Sequence, residues 1–406
     1  MSLSSPSDTA VQPAATGDRR NDKLGQDTVI CHAGRDPAAH FGAVNPPVFH
    51  ASTILFPTLA ALDAKADAKI RYGRRGTPTT FALEDAVAAL EAAAGVVLTP
   101  SGANAISTTL LAHLSPGDHA LIADNVYGPC RHCANEVLRR FGVDVDFYDP
   151  LIGAGIARMI KPNTRLIWME APGSLTFEMT DIAAIVAVAK PRGIVTVVDN
   201  TWSGGVFFKP LTLGVDISVQ AGTKYISGHS DLMLGTIACA EGSYGRVKSF
   251  AQRMGICIAP DDAYLAQRGL RTIAVRMRQH QVNALQLALW LEKRPEVTRV
   301  MHPALATDPG HALWKAHFTG ASGLFGFVIR ETDRRKLAAM VDGLRLFGMG
   351  SSWGGYESLI LPTDPRALRS ATSWTEPGQC MRVHVGLEDV ADLIDDLDRG
   401  FDRLGR

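Results

Sequence analysis

The feature that most limits the folds open to this chain is a strict alternation that begins at Gly95. Short apolar runs, "GVVLTP", "HALIADN", "TRLIWMEAP", "IVTVVDN" and "DISVQAG", are separated by helical stretches such as "ANAISTTLLAHL", "CRHCANEVLRRF" and "DIAAIVAVAKPRG". Strands that are apolar along their whole length are buried on both faces, and the helices between them are the crossovers that keep successive strands parallel. The fold class read from this rhythm is α/β, with a mostly parallel sheet in a large domain. Around Gly269 the pattern changes to one long helical segment, "RTIAVRMRQHQVNALQLALWLEKR", with apolar positions at helical spacing. Beyond it, "GLFGFVIR", a helix through "RRKLAAMVDGLRLF", the strand "CMRVHVG" and the closing helix "EDVADLIDDLDRGFDRL" predict a smaller C-terminal α+β domain over 271–406. Residues 1–22 are rich in Ser, Pro, Ala, Thr and Asp without apolar periodicity and are expected to be a disordered tail.

Charge narrows the partners. The 41 basic and 41 acidic residues cancel, so no net field draws nucleic acid or an anionic membrane, and small neutral or zwitterionic molecules fit better. The apolar runs are interrupted well before the roughly 20 residues of a membrane helix, and the start lacks an apolar signal core. Arg19-Arg20 could open a twin-arginine signal, but no apolar stretch follows. The expectation is a cytoplasmic protein. Six irregularly spaced cysteines argue against a disulfide framework and for a reducing compartment. Cys130 and Cys133 form a C-x-x-C around His132, yet no second ligand pair lies at zinc spacing and the segment is helix-like, so no metal is expected.

Three positions carry chemistry. "VVLTPSGANAISTTLL" is a strand, a tight turn at Ser101-Gly102-Ala103 and a helix, which offers a phosphate unpaired N–H groups at a positive dipole end, or is simply capped. Asp199 ends the apolar strand "IVTVVDN", where ligands of open α/β sheets gather; it either caps the next turn or pairs with a ligand. Lys224 follows the next strand, 25 residues on. Alone it would be a surface lysine, but phosphate turn, aspartate and lysine in that order suit a cofactor with a phosphate, a pyridinium nitrogen and an aldehyde.

"DISVQAGTKYISGHS", residues 216–230, resembles the cofactor-attachment signature of the Cys/Met-metabolism enzymes, a pyridoxal-phosphate branch of the fold-type I aminotransferase-like superfamily. The similarity runs from about Thr28 to the C-terminus through "YGRRGTPTT", "PGDHALIADNVYGP", "DNTWSGGVFFKPL", "RGLRTIAVRMRQH" and "SSWGGYESL". What the resemblance implies can be placed residue by residue. Lys224 is the cofactor-bearing lysine, Asp199 the partner of the pyridine nitrogen, and Tyr127 the aromatic residue stacked on the ring. Gly102, Ala103 and Thr223 contact the phosphate. Tyr72 and Arg74 reach into a neighbour's phosphate site from an arm spanning 23–74, which implies a dimer within a homotetramer, with 75–270 as the cofactor domain. Arg382, whose guanidinium inside an apolar strand needs a carboxylate, holds the substrate α-carboxylate, although a structural Asp or Glu would serve equally on the sequence alone. Ala221 departs from the hydroxyl residue of many relatives, a loss of about 1 kcal/mol for one phosphate hydrogen bond.

The resemblance also implies a reaction. γ-Carbon enzymes of this family usually read Glu-Ser-Leu-Gly-Gly where this chain reads Ser351-Ser352-Trp353-Gly354-Gly355, and "MEAPGS", Glu170 to Ser174, departs from their Glu-x-Pro-x-Asn-Pro in the β-lyase direction. Ser352 joins Lys224 and Tyr127 as implied catalytic residues, with Trp353 and Tyr264 contacting substrate; Trp353 could equally be a core aromatic. The expected activity is α,β-elimination from a thioether such as cystathionine, giving homocysteine, pyruvate and ammonia. The rivals are γ-lyase or γ-synthase chemistry, a broad cysteine-conjugate β-lyase, and a non-catalytic protein on the same scaffold. His229 is expected to shape the lysine loop, and His32, His280 and His302 to be structural or surface groups.

Overall fold

The computed structural model describes residues 24–66 and 68–404. The tail expected over 1–22, with Arg19 and Arg20, lies outside the described residues.

Seven strands form the larger sheet: β1 (Gly95–Thr99), β2 (His119–Ala123), β3 (Asp144–Tyr148), β4 (Thr164–Glu170), β5 (Val195–Asp199), β6 (Ile217–Gln220) and β7 (Gly235–Cys239), in the order β1-β7-β6-β5-β4-β2-β3. Strands β2 to β6 pair in parallel, and only β7, lying between β1 and β6, runs against its neighbours. Every residue of β2, β6 and β7 is buried, which accounts for their lack of polar alternation.

The sequence reading omits two of these strands. β3 alternates exposed or half-buried Asp144 and Asp146 with buried Val145 at the sheet edge, the pattern of a solvated strand rather than a central one. β7 is a five-residue antiparallel return with no helix before it, so the β/α rhythm does not announce it. The stretch read as one helix from Cys130 is a short α-helix over Gly128–His132 that widens into a π-turn over Cys133–Leu138.

The second sheet is antiparallel throughout, in the order β10-β11-β9-β8: β8 (Val297–Met301), β9 (Leu324–Ile329), β10 (Leu359–Thr363) and β11 (Gln379–His384). The helix Ile273–Leu291 links the two cores. Its first turns place Ile273, Ala274 and Met277 with Tyr225 and Ile226 beside the large sheet, whereas Leu287, Ala288 and Leu291 pack with Phe325, Phe327 and Met381 of the small one. Burying each such isoleucine, methionine or leucine contributes about 1.5–3 kcal/mol, so the helix is anchored at both ends.

This topology sets up the site. Strands β4, β5 and β6 lie side by side and run the same way, so Glu170, Asp199 and the loop carrying Lys224 emerge from one edge of the sheet. The helix Gly102–His113 starts near that edge, with the Ser101 hydroxyl capping it by accepting from the Asn104 N–H at 3.1 Å.

Candidate active site

A cavity of about 190 Å³ opens at this edge, and the predicted residues Gly102, Ala103, Tyr127, Asp199, Thr223, Lys224, Trp353 and Arg382 all line it. Lys224 Nζ donates to Ser352 Oγ at 2.8 Å and lies 5.5 Å from the centre of the Trp353 ring. Burial, then the guanidinium of Arg382, push the amine down to about 8, against the pull of Asp199. The lysine is therefore part-neutral near physiological pH, as a nucleophile or base must be.

Of the two roles the sequence left open for Asp199, the structure shows the cap and leaves an oxygen over for the other. Its Oδ1 accepts from the Thr201 N–H at 3.0 Å and the Thr201 hydroxyl at 2.6 Å, a turn cap. Its Oδ2 accepts from none of the described residues, although the group lines the cavity. The Thr201 hydroxyl in turn accepts from the Ala221 N–H at 2.9 Å, tying β5 to the lysine loop. Burial raises the Asp199 carboxyl above its ordinary value, with the Thr201 bonds and then Lys224 opposing.

The Gly102 turn is a close approach rather than an ordinary cap. A Cβ there would stand 2.5 Å from Ala221 Cβ and 2.9 Å from Ala221 Cα. Gly102→Ala should therefore push the helix N-terminus and the lysine loop apart and weaken pyridoxal phosphate binding at least about tenfold, roughly the 1.4 kcal/mol that modest overpacking costs. Fluorescence titration of apoprotein with the cofactor measures it; an unchanged dissociation constant would contradict the reading.

Arg382, on β11, meets no carboxylate among the described residues. Its guanidinium donates to the carbonyls of Gly350 at 3.2 Å and Ser352 at 3.3 Å. The structural Asp or Glu that sequence allowed is absent from those partners, and Arg382 lines the cavity. Trp353 is both a site and a packing residue, since its ring meets Tyr225 at 5.4 Å.

Other expected positions lie elsewhere in the chain. Tyr72 and Arg74 are outside the cavity: the Arg74 guanidinium sits 6.0 Å from the Tyr72 ring and donates to the Gln252 carbonyl at 2.6 Å. Tyr264, on the helix Pro260–Leu270, is also not among the cavity residues. The Cys130 and Cys133 thiols are pushed up by burial, Cys133 to about 11, the reverse of a reactive pair. His280 and His302 are buried and pushed down to about 4, which keeps both neutral.

Sequence reasoning gave no role to Glu170 or Thr201. Glu170 Oε2 accepts the Tyr127 N–H at 2.7 Å, and burial, then Asp199 on the next strand, hold this carboxyl well above the usual range. Met233 and Leu324 also line the cavity, with no local signal to mark them.

A lysine of lowered basicity, an aspartate with a free oxygen, a glycine-lined helix start and an arginine facing one cavity define a site for a cofactor that forms a Schiff base. The chain belongs to the Cys/Met metabolism PLP-dependent enzyme family, whose model matches residues 27–402. An Escherichia coli protein named cystathionine beta-lyase MetC is 44% identical over 389 residues, 93% of this chain and 98% of its own. A Wolbachia pipientis protein named L-alanine/L-glutamate racemase is 42% identical, covering 93% of this chain and 97% of its own. Among solved structures, the cystathionine gamma-lyase of Lactobacillus plantarum superposes with a TM-score of 0.86 at 29% identity, over 94% of this chain and all of that one. The fold is that of these fold-type I enzymes. Pyridoxal phosphate fits the residues present: the cradle at Gly102 admits no side chain, and Asp199 Oδ2 is left for a protonated ring nitrogen.

Proposed function

We propose that this protein is a cystathionine β-lyase, cleaving the Cβ–S bond of L-cystathionine to give homocysteine, pyruvate and ammonia. The observation that carries the reading is the 2.8 Å contact of Lys224 with Ser352, at the edge of the cavity that Lys224, Trp353 and Arg382 line and where Arg382 has no carboxylate partner among the described residues. Pyridoxal phosphate, when bound, supplies the electron sink that acidifies the substrate's Cα–H. Gly102, Ala103 and Thr223 would hold its phosphate, Asp199 would pair with its ring nitrogen, and Tyr127 would supply an aromatic face for its ring.

The rest is done by the chain. Arg382 fixes the α-carboxylate, which turns the Cα–H toward the lysine. Lys224 accepts that proton, its amine made easier to deprotonate by burial and by Arg382. Ser352 accepts a hydrogen bond from Lys224 Nζ and so fixes where the base points. Ser351 stands where the γ-enzymes carry a glutamate, the pattern of enzymes in which the sulfur on Cβ is the group that departs.

Finer points follow from the same reading. Residues 23–74 form an arm that carries Tyr72 and Arg74 to a neighbouring subunit's site in a homotetramer, which accounts for Phe41, Leu55 and Leu59 being exposed in the single chain. Residues 75–270 are the cofactor domain and 271–406 the smaller domain. Tyr264 then contacts substrate only within the assembly. The protein works in methionine biosynthesis in the cytoplasm, consistent with six unpaired cysteines and with no described helix long and apolar enough to cross a membrane.

Incubation with L-cystathionine, followed by separate assays of keto acid and thiol, tests this. Pyruvate with homocysteine is expected; 2-oxobutyrate with cysteine would mean γ-elimination. D-alanine formed from L-alanine without thiol release from cystathionine would move the assignment to the activity named for the Wolbachia relative.

A further inference from the structure

The connection between β10 and β11, residues 364–378, leaves the small sheet and crosses to the large one. At its centre, Asp124, which follows β2 and is 1% exposed, gathers an unusual number of donors from a segment some 246 residues away. Its carboxylate accepts from the backbone N–H groups of Ser370 at 3.0 Å, Ala371 at 3.0 Å and Thr372 at 2.8 Å. The hydroxyls of Ser370 and Thr372 donate to it as well, at 3.1 Å and 2.8 Å, and Arg131 completes the set as a salt bridge. A buried carboxylate so supplied is held charged: its hydrogen bonds outweigh the burial that would raise it, and the carboxyl lies below its ordinary value.

A second tie stands next to the first. Arg369, its side chain 5% exposed, pairs with Glu178 at 2.6 Å and donates to the Thr176 hydroxyl, which itself donates to Glu178 at 2.7 Å. Thr176 lies between Leu175 and Phe177, both non-glycine residues in the left-handed region at φ 66° and 55°, and both in the cavity wall. Such backbone persists only where its surroundings hold it. The two ties therefore grip both rims of the cavity on the large-sheet side: Asp124 three residues before Tyr127, and Thr176 in the strained wall. The segment doing the gripping leads, after residues 373–378, into β11, the strand of Arg382.

We propose that residues 369–372 are a clamp between the two sheets, with Arg369 and Asp124 as positioning residues that set the span from Arg382 to Tyr127 and Lys224 and so govern substrate capture rather than bond cleavage. The proposal rests on the reading of Arg382 as the α-carboxylate site. Lys224, Asp199 and the Gly102 turn make no hydrogen bond to either tie, so loosening the clamp leaves the lysine, the ring-nitrogen partner and the phosphate cradle in place and shifts Arg382 relative to Tyr127.

The test is steady-state kinetics of the full-length holoenzyme on L-cystathionine for Arg369→Ala and for Ser370→Ala/Thr372→Ala, which removes two hydroxyl donors and keeps the backbone ones. Expected are a KM raised at least tenfold for Arg369→Ala, a smaller rise for the double variant, kcat within about threefold, and an unaltered visible spectrum of the lysine-bound cofactor. Arg369→Lys should recover part of the KM. A merely structural role would lower Tm and leave KM in place; KM within twofold of wild type in every folded variant, or kcat falling as far as kcat/KM, overturns the clamp. If Arg369→Ala fails to fold, the double variant decides by the same criteria. Arg382→Ala, run alongside, separates the two ideas. A raised KM there with none in the clamp variants rejects the clamp alone, and no rise there rejects the carboxylate reading on which the clamp depends.

Discussion

Lys224→Ala should lose at least about a thousandfold in pyruvate release while remaining folded. In the proposed reading one amine serves twice, as the group that bears the cofactor and as the base at Cα, and general-base catalysis alone is worth about 10²–10⁴-fold, hence the size of the loss. The fold should survive because the packing at this position is made by Cβ and backbone. Gly354 closes so tightly on Lys224 that a Cβ on the glycine would meet the lysine's Cα and Cβ at 3.0 Å, contacts that an alanine at 224 preserves. The variant also removes a partly buried amine whose charged form burial disfavours. Keto acid assay with circular dichroism decides the matter, and substantial turnover by a folded variant would end the assignment of base and anchor.

Arg382→Ala should reduce kcat/KM by about 10²–10³-fold, the scale of 2–5 kcal/mol for truncating one side of a hydrogen-bonded charge pair. The guanidinium spends hydrogen bonds on two loop carbonyls, from Gly350 and Ser352, and is neutralised by no carboxylate among the described residues. A cation so placed is costly until an anion arrives, which is why the proposed reading gives it the substrate's carboxylate. Arg382→Lys keeps the charge but not the planar fork and should recover only part of the loss. Steady-state rates over a range of cystathionine concentration give the answer; a kcat/KM within twofold of wild type for the alanine variant would remove Arg382 from the substrate's contacts.

What was legible in the sequence follows from what is local. Strands β4, β5 and β6 could be read because burial on both faces writes itself as an unbroken apolar run, and the end of a parallel strand is where a ligand is expected. Asp199 and Lys224 stand immediately after such runs. β10 carries Pro362 and β8 carries Arg299, so neither presents a clean strand pattern, and the second sheet was only half visible. Glu170 could be seen as a residue but not as a neighbour of Asp199, since that depends on the register between β4 and β5. The donors to Asp124 lie so far along the chain that no window contains both halves, and the same is true of Leu324 in the cavity wall. Resemblance to a family supplied the roles of Ser352 and Trp353, which no periodicity or spacing would have given.

The helix Ile273–Leu291 has one further consequence. Because its two ends belong to different cores, neither sheet can shed its packing without disturbing the helix it shares with the other, at the place where the sequence pattern changes. Cooperativity is thereby shared across the molecule. The cavity, assembled from both sides of that joint, exists only while the whole is folded, and a lesion in the small sheet far from Lys224 is felt as a loss of enzyme rather than as a loosened appendage.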